Sequence, residues 1–212
     1  MRTARLVSGT ALVLGIVALT VVSRAVGASS LAKPQRSSAR DILDLNGHPL
    51  NPFGAAGTAN VIFFVATDCP ISNSYAPEIQ RICKDYGPRG VGCSLIYEDL
   101  DLPGVNLEVS VRKHLQEYRY DAIPTAIDTS RAIAKRAKAS VTPEAVVVDR
   151  AGKIRYRGRI DNFYAALGKP RREVTEHDVR DALDAVLAGR SVSKPETEAL
   201  GCFIADPSLL RK

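Results

Sequence analysis

The chain alternates between short unbroken apolar runs and segments whose apolar residues recur every three or four positions. The densest run, Val61-Ile62-Phe63-Phe64-Val65-Ala66, ends residues 59–66 and contains no polar residue. A run of this kind, bounded by turn residues, predicts a central strand buried on both faces. Residues 72–86 then place Ile79, Ile82, Cys83 and Tyr86 on one helical face, and Gly87-Pro88-Arg89-Gly90 ends that helix. A second strand is predicted over 91–97, and Pro103-Gly104 marks a loop. Asn106 then caps a helix with Leu107, Val111, Leu115 and Tyr118 on one side.

A short strand over 123–127 and a short helix over 130–137 follow. Residues 144–149 and 154–160, joined by Arg150-Ala151-Gly152-Lys153, predict an antiparallel hairpin. Thr175 is placed to cap a last helix with Val179, Leu183, Val186 and Leu187 inward, and Gly189 stops it. Upstream, Asn46-Gly47 marks a tight turn between residues 41–45 and 48–50. The order β-α-β-α-β-α-β-β-α predicts a mixed sheet covered on both faces, in one domain over residues 40–190.

The ends differ from this middle. Arg2 and Arg5 precede an apolar stretch over 6–22, and Val26-Gly27-Ala28 offers small residues for cleavage. Residues 1–28 read as a secretory signal peptide or, if uncut, as an N-terminal anchor, which Arg24 favours. Residues 29–39 read as a flexible polar leader, and 191–212 as a tail carrying Cys202. The expected location is therefore exported, periplasmic or otherwise extracytoplasmic, with membrane contact only through an uncut N-terminus.

Charge adds little. Arg2, Arg5 and Arg24 are three of the 29 basic residues, so the rest of the chain holds 26 against 23 acidic ones, a net charge of +3. Arg150, Lys153, Arg155, Arg157 and Arg159 alternate along a predicted strand, which reads as a solvated face rather than a nucleic-acid surface. His48, His114 and His177 are scattered, His114 beside Lys113 on a helix face expected to be exposed. No metal or cofactor is implied.

The four cysteines are Cys69, Cys83, Cys93 and Cys202, and an exported chain can oxidise them. Cys69 and Cys83 are 14 residues apart, about 21 Å if both lie on one helix, too far to pair. Cys83 and Cys93 lie on facing surfaces of a predicted helix and strand, and read either as a structural disulfide or as two buried thiols. Cys202 is then the remaining intramolecular partner for Cys69.

Three motifs carry a resemblance. Phe63-Phe64-Val65-Ala66-Thr67-Asp68-Cys69-Pro70 takes a buried strand into a cysteine at a helix start. Val141-Thr142-Pro143-Glu144 follows 72 residues later, and Ala145-Val146-Val147-Val148-Asp149 with Gly152-Lys153-Ile154 follows directly. In this order they resemble the thioredoxin superfamily, in its exported redoxin and alkyl-hydroperoxide-reductase/thiol-specific-antioxidant branch. The resemblance implies a thioredoxin-like three-layer α/β/α sandwich with a mixed central sheet. It implies that Cys69 is the nucleophile, favoured as thiolate by the helix end. It also implies that Thr142 and Pro143 form a cis-proline loop, which leaves the preceding backbone free to pair with an extended substrate.

The departures define the chemistry. Asp68 stands where reductases of the superfamily carry Trp, and its charge opposes that of the helix end. Ser72 stands where they carry the resolving cysteine of Cys-x-x-Cys. Ala66 stands where peroxiredoxins carry Thr, three residues before the cysteine. Two redox chemistries are therefore expected to compete. One is thiol–disulfide exchange through Cys69, resolved by Cys202. The other is thiol peroxidase chemistry, an antioxidant activity, with Cys69 oxidised by a hydroperoxide and Arg159 as candidate cation beside the sulfur. A binding module with a structural thiol is a third reading. The expected partners are protein thiols or disulfides, or a hydroperoxide, with an external thiol reductant.

Overall fold

The computed structural model describes residues 42–54 and 57–206. The expected signal, the leader and the last six residues lie outside them. A small hairpin, β1 (Ile42–Leu43) and β2 (Pro49–Leu50), precedes the main sheet. The sheet is built from β3 (Ala59–Val65), β4 (Val91–Tyr97), β5 (Thr125–Ile127), β7 (Glu144–Asp149) and β8 (Ile154–Gly158), after a short β6 (Val141–Thr142). Its spatial order is β5-β4-β3-β7-β8, with β3, β4 and β5 parallel and β7 and β8 antiparallel to their neighbours.

All seven residues of β3 are buried, because the strand is central and both of its faces are covered. Val61, Phe63 and Val65 point to one core with α2 (Ala76–Tyr86), α3 (Leu107–Glu117) and α5 (Asp178–Leu187), whereas Ile62 and Phe64 point to another with α4 (Ala132–Ala137). The period-two alternation of a strand thus divides one apolar run between two cores. Together these elements form the α/β thioredoxin-like fold expected from the sequence.

Several local expectations are corrected. The helix expected over 72–86 is two helices, α1 (Pro70–Ser74) and α2, broken at Tyr75. Pro77 explains the break: it has no N–H, and its ring clashes with the carbonyl four residues back. Thr175 does not cap α5. Asn162 takes both Thr175 polar groups (2.8 and 2.9 Å) as well as the Glu176 N–H, and the helix starts only at Asp178. The strand expected to reach residue 160 stops at Gly158, whose φ of +148° and close approach to Thr197 require glycine. A further hairpin, β9 (Tyr164–Ala166) and β10 (Lys169–Pro170), was not visible in the apolar pattern.

The tail is no loose appendage. Arg157 N–H donates to the Pro195 carbonyl and Thr197 N–H to the Arg157 carbonyl, which docks residues 195–197 on β8. A last strand, β11 (Cys202–Phe203), then pairs antiparallel with β6. The alternating arginines are also more than a solvated face: Arg155 pairs with Asp149, Arg157 with Glu144 and Glu196, and Arg159 with Glu176 and Asp178. Among the described residues no helix is long and apolar enough to cross a membrane.

Candidate active site

Cys69 follows β3 and is the N-cap of α1, with Pro70 at the first helical position, where a missing N–H costs nothing. Its sulfur is fully buried. The thiol donates to the Thr142 carbonyl at 3.0 Å and accepts from the Ser72 N–H at 3.4 Å. The Thr142–Pro143 bond is cis. Asp68 and Pro70 are exposed on the rim, whereas Ser72 is buried and its hydroxyl has no hydrogen-bond partner among the described residues.

β11 brings the second cysteine to the same residue, Thr142. Cys202 lies directly opposite Thr142 in the β6–β11 register, and neither Cys69 nor Cys202 is oxidised. Cys202 as a residue is exposed, but its thiol faces the site. Desolvation, the hydrogen bond to Cys69 and the charges of Cys69 and Asp68 push that thiol up to about 12. Cys83 and Cys93 are joined in a disulfide between α2 and β4.

Arg159 lies beside the cis proline, paired with carboxylates. Its Nε donates to Asp178 at 2.8 Å and its Nη2 to Glu176 at 2.9 Å. With Tyr75, Pro143, Asp161 and Leu200 it lines a cavity of about 180 Å³ beside the cis proline. Its guanidinium is thus engaged by carboxylates rather than free for a sulfur.

Residues that the sequence reading passed over hold the loop. Asp99 accepts from the Thr67 N–H at 3.0 Å and from the Thr67 hydroxyl. Behind it Glu98, Asp99 and Asp128 are all buried, and one buried cation, Arg131, lies among them. Arg131 donates to the Asp128, Asp99 and Ala205 carbonyls and lies 3.3 Å from Glu98, tying the tail to this cluster. Desolvation, reinforced by the Asp128 and Asp99 charges against Arg131, pushes Glu98 up to about 9. Asp99 is raised as well, chiefly by burial.

A signal for these acids was present. Tyr97-Glu98-Asp99 and Ile127-Asp128 lie at the carboxyl ends of adjacent parallel strands, on the same edge as Cys69 after β3.

His114 is buried, against the expectation of an exposed side chain. Its Nδ1 bonds the Tyr97 hydroxyl and its Nε2 the Asn73 side chain, both at 2.8 Å, and the ring stacks on Tyr118. Burial lowers its pKa. Asn73 in turn donates to the carbonyls of Thr67 (3.1 Å, side chain) and Cys69 (2.9 Å, backbone). The helix face judged polar from Lys113 is therefore a brace for the cysteine loop. Among the described residues no group of three His, Cys, Asp or Glu side chains could hold a metal ion.

The fold described above is shared with known proteins. The Redoxin family model matches residues 35–163, more than half of the sequence. The chain belongs to the Redoxin family. Among solved structures, this redoxin is similar to an uncharacterized conserved protein from Geobacillus kaustophilus, at 28% identity and a TM-score of 0.68 over 77% of this chain and 86% of that one. It is also similar to a hypothetical protein from Sinorhizobium meliloti 1021, at 26% identity and a TM-score of 0.65 over 77% and 88%. The MTB dsbF structure, in mixed oxidized and reduced forms, shares the fold at 15% identity and a TM-score of 0.50 over 68% and 92%. No curated protein matches this redoxin.

Proposed function

We propose that this redoxin is a thiol–disulfide oxidoreductase in which Cys69 attacks and Cys202 resolves, acting outside the cytoplasm. The observation that carries this reading is the register of β11 on β6, which sets Cys202 opposite Thr142, the residue whose carbonyl accepts the Cys69 thiol. In the first step the Cys69 thiolate attacks a substrate disulfide. A Cys69–substrate disulfide forms and the substrate's other sulfur leaves as thiolate. In the second step the Cys202 thiolate attacks the Cys69 sulfur, and the substrate's remaining sulfur leaves. An external dithiol then reduces the Cys69–Cys202 bond and supplies the two electrons.

Desolvation and the hydrogen bond to Cys69 hold the Cys202 thiol protonated in the resting state, which leaves the first attack to Cys69. The missing Cys-x-x-Cys partner is replaced by a residue 133 positions away in sequence but next to the cis proline in space.

Peroxide reduction would use the same two sulfurs. The engagement of Arg159 by Asp178 and Glu176 weighs toward exchange, because a hydroperoxide gains from a free cation at the sulfur. Export is supported by the sequence of residues 1–28 and by the Cys83–Cys93 disulfide, a bond typical of oxidising compartments.

The test is a thiol map of the purified protein after oxidant and after mild dithiol, read by peptide mass. A Cys69–Cys202 bond that forms and reopens while Cys83–Cys93 persists is the expected result. A Cys69 that stays reduced and unreactive would sink the reading and leave a binding module.

A further inference from the structure

The tail does more than bring a sulfur. Residues 201–204 run as an extended chain along β6, with Cys202 opposite Thr142, Phe203 opposite Val141, and the Ile204 N–H donating to the Ser140 carbonyl at 2.9 Å. Main-chain pairing at a sheet edge is how extended peptides are held, with side-chain pockets supplying the selectivity. Here the selective position is the residue before the cysteine. A Cβ on Gly201 would lie 2.1 Å from the Thr142 carbonyl oxygen, 2.6 Å from its carbon and 3.2 Å from the Pro143 nitrogen. All three are backbone atoms, so no rotation of a side chain relieves the clash. Gly201 is not among the residues with positive φ, so glycine is required here by space and not by backbone conformation.

The positions after the cysteine are apolar and less demanding. Phe203 is 87% exposed, and Ile204 packs at the edge of the core that contains Val146. The tail is moored on either side of this stretch, at residues 195–197 on β8 and at Ala205 on Arg131, so residues 201–204 can leave β6 without detaching the whole segment.

We propose that residues 201–204 occupy the ledge of Thr142 and Pro143 as an intramolecular stand-in that a protein substrate has to displace, and that the Gly201 contact makes this ledge selective for extended segments with glycine immediately before the reactive cysteine. This rests on the exchange chemistry proposed above and names its substrate class.

The test uses the full chain as Cys202→Ser, and as Cys202→Ser combined with Gly201→Ala to loosen the tail. The probe is a peptide copying residues 199–206, Ala-Leu-Gly-Cys-Phe-Ile-Ala-Asp, with its cysteine in a disulfide with thionitrobenzoate. Attack by Cys69 on the peptide sulfur forms the Cys69–peptide disulfide and frees one coloured thionitrobenzoate anion. A second peptide carries Ala in place of Gly. The glycine peptide is expected to react roughly tenfold faster or more, a ratio that needs only ~1.4 kcal/mol of the clash to persist in the transition state. Loosening the tail is expected to raise the glycine-peptide rate severalfold and to keep the preference.

Equal rates for the two peptides overturn the proposed selectivity, and this holds on Cys202→Ser alone should the double variant not fold. An unchanged glycine-peptide rate in a folded double variant overturns the proposed occupancy. The free aromatic disulfide of the same chromophore separates the two levels. If Cys69 reacts with it but does not discriminate the peptides, only the ledge proposal falls. If Cys69 is inert to it, the exchange chemistry falls as well.

Discussion

The two cysteine pairs of this redoxin are built for opposite ends. Cys83 and Cys93 lie ten residues apart on adjacent elements, half-buried against the apolar cluster of Ile79, Ile82 and Leu95, and are already joined. Cys69 and Cys202 come from a turn and a distant tail strand, meet at Thr142, and are both free. The ground beneath them is polar, with Thr67, Asp99, Glu98 and Arg131 in contact. An apolar setting shields a bond from attack, whereas a sulfur on a two-residue edge strand beside a polar cluster can change partners. Surroundings, rather than the presence of two sulfurs, separate a staple from a reactive pair.

The largest effect expected is at the reactive pair. Cys69→Ser should abolish the reduction of insulin disulfides. Cys202→Ser should leave the first step and halt the second, so that Cys69 accumulates as a mixed disulfide with substrate, visible as added mass on intact protein. A Cys202→Ser variant that turns over as fast as the parent, with no trapped adduct, would remove the tail from the cycle.

Next is the staple. Replacing both Cys83 and Cys93 by Ala should lower the unfolding free energy by about 2–3 kcal/mol, from the chain entropy of a loop of this length. Denaturant titration measures it, and the rate at which Cys69 is alkylated should hardly change. A large fall in that rate would show that the two pairs are coupled and would break the contrast.

These two pairs were unequally legible in the sequence. Cys83 and Cys93 sit on a helix and a strand whose periodicities fix which way they face, so their closeness followed from local pattern. The central strand, the parallel crossovers and the closing hairpin were readable for the same reason. The position of Cys202 depends on a two-residue strand without periodicity, docked by backbone hydrogen bonds that any sequence can make. Its one local mark is Gly201, whose meaning is a backbone approach seen only in three dimensions. His114 was misjudged because its neighbour Lys113 is polar, whereas its own position faces Tyr97 across a layer. Pro77 was in plain view, and the break it makes at Tyr75 should have been drawn.

A smaller effect belongs to the charged ground under the reactive pair. Glu98 is held up to about 9 when folded, against an ordinary value near 4.5. Between those two values the folded state binds more protons than the unfolded chain, so Glu98 favours the folded state in acid and progressively disfavours it as pH rises toward 9. Glu98→Gln keeps the shape and removes the titration. It should therefore flatten the fall in stability between pH 5 and 9, by about 1.4 kcal/mol for each pH unit by which Glu98 is held up. Urea midpoints across that range measure it. Parallel slopes for the two proteins would mean that Arg131 keeps Glu98 ionised in the folded state.

The smallest effect tests whether the reactive pair carries a polar cost that the staple lacks. Ser72 is 1% exposed and its hydroxyl has no hydrogen-bond partner among the described residues, so it is desolvated without return. Ser72→Ala should therefore stabilise the fold by up to about 1 kcal/mol. Its N–H already donates to the Cys69 sulfur through the backbone, which the substitution leaves intact. If the stability gain comes with an unchanged rate of Cys69 alkylation, the hydroxyl contributes nothing to the thiolate. If the same variant slows alkylation, the hydroxyl turns to the sulfur once the thiol proton has left, and the unmet bond of the resting state is met in the reactive one.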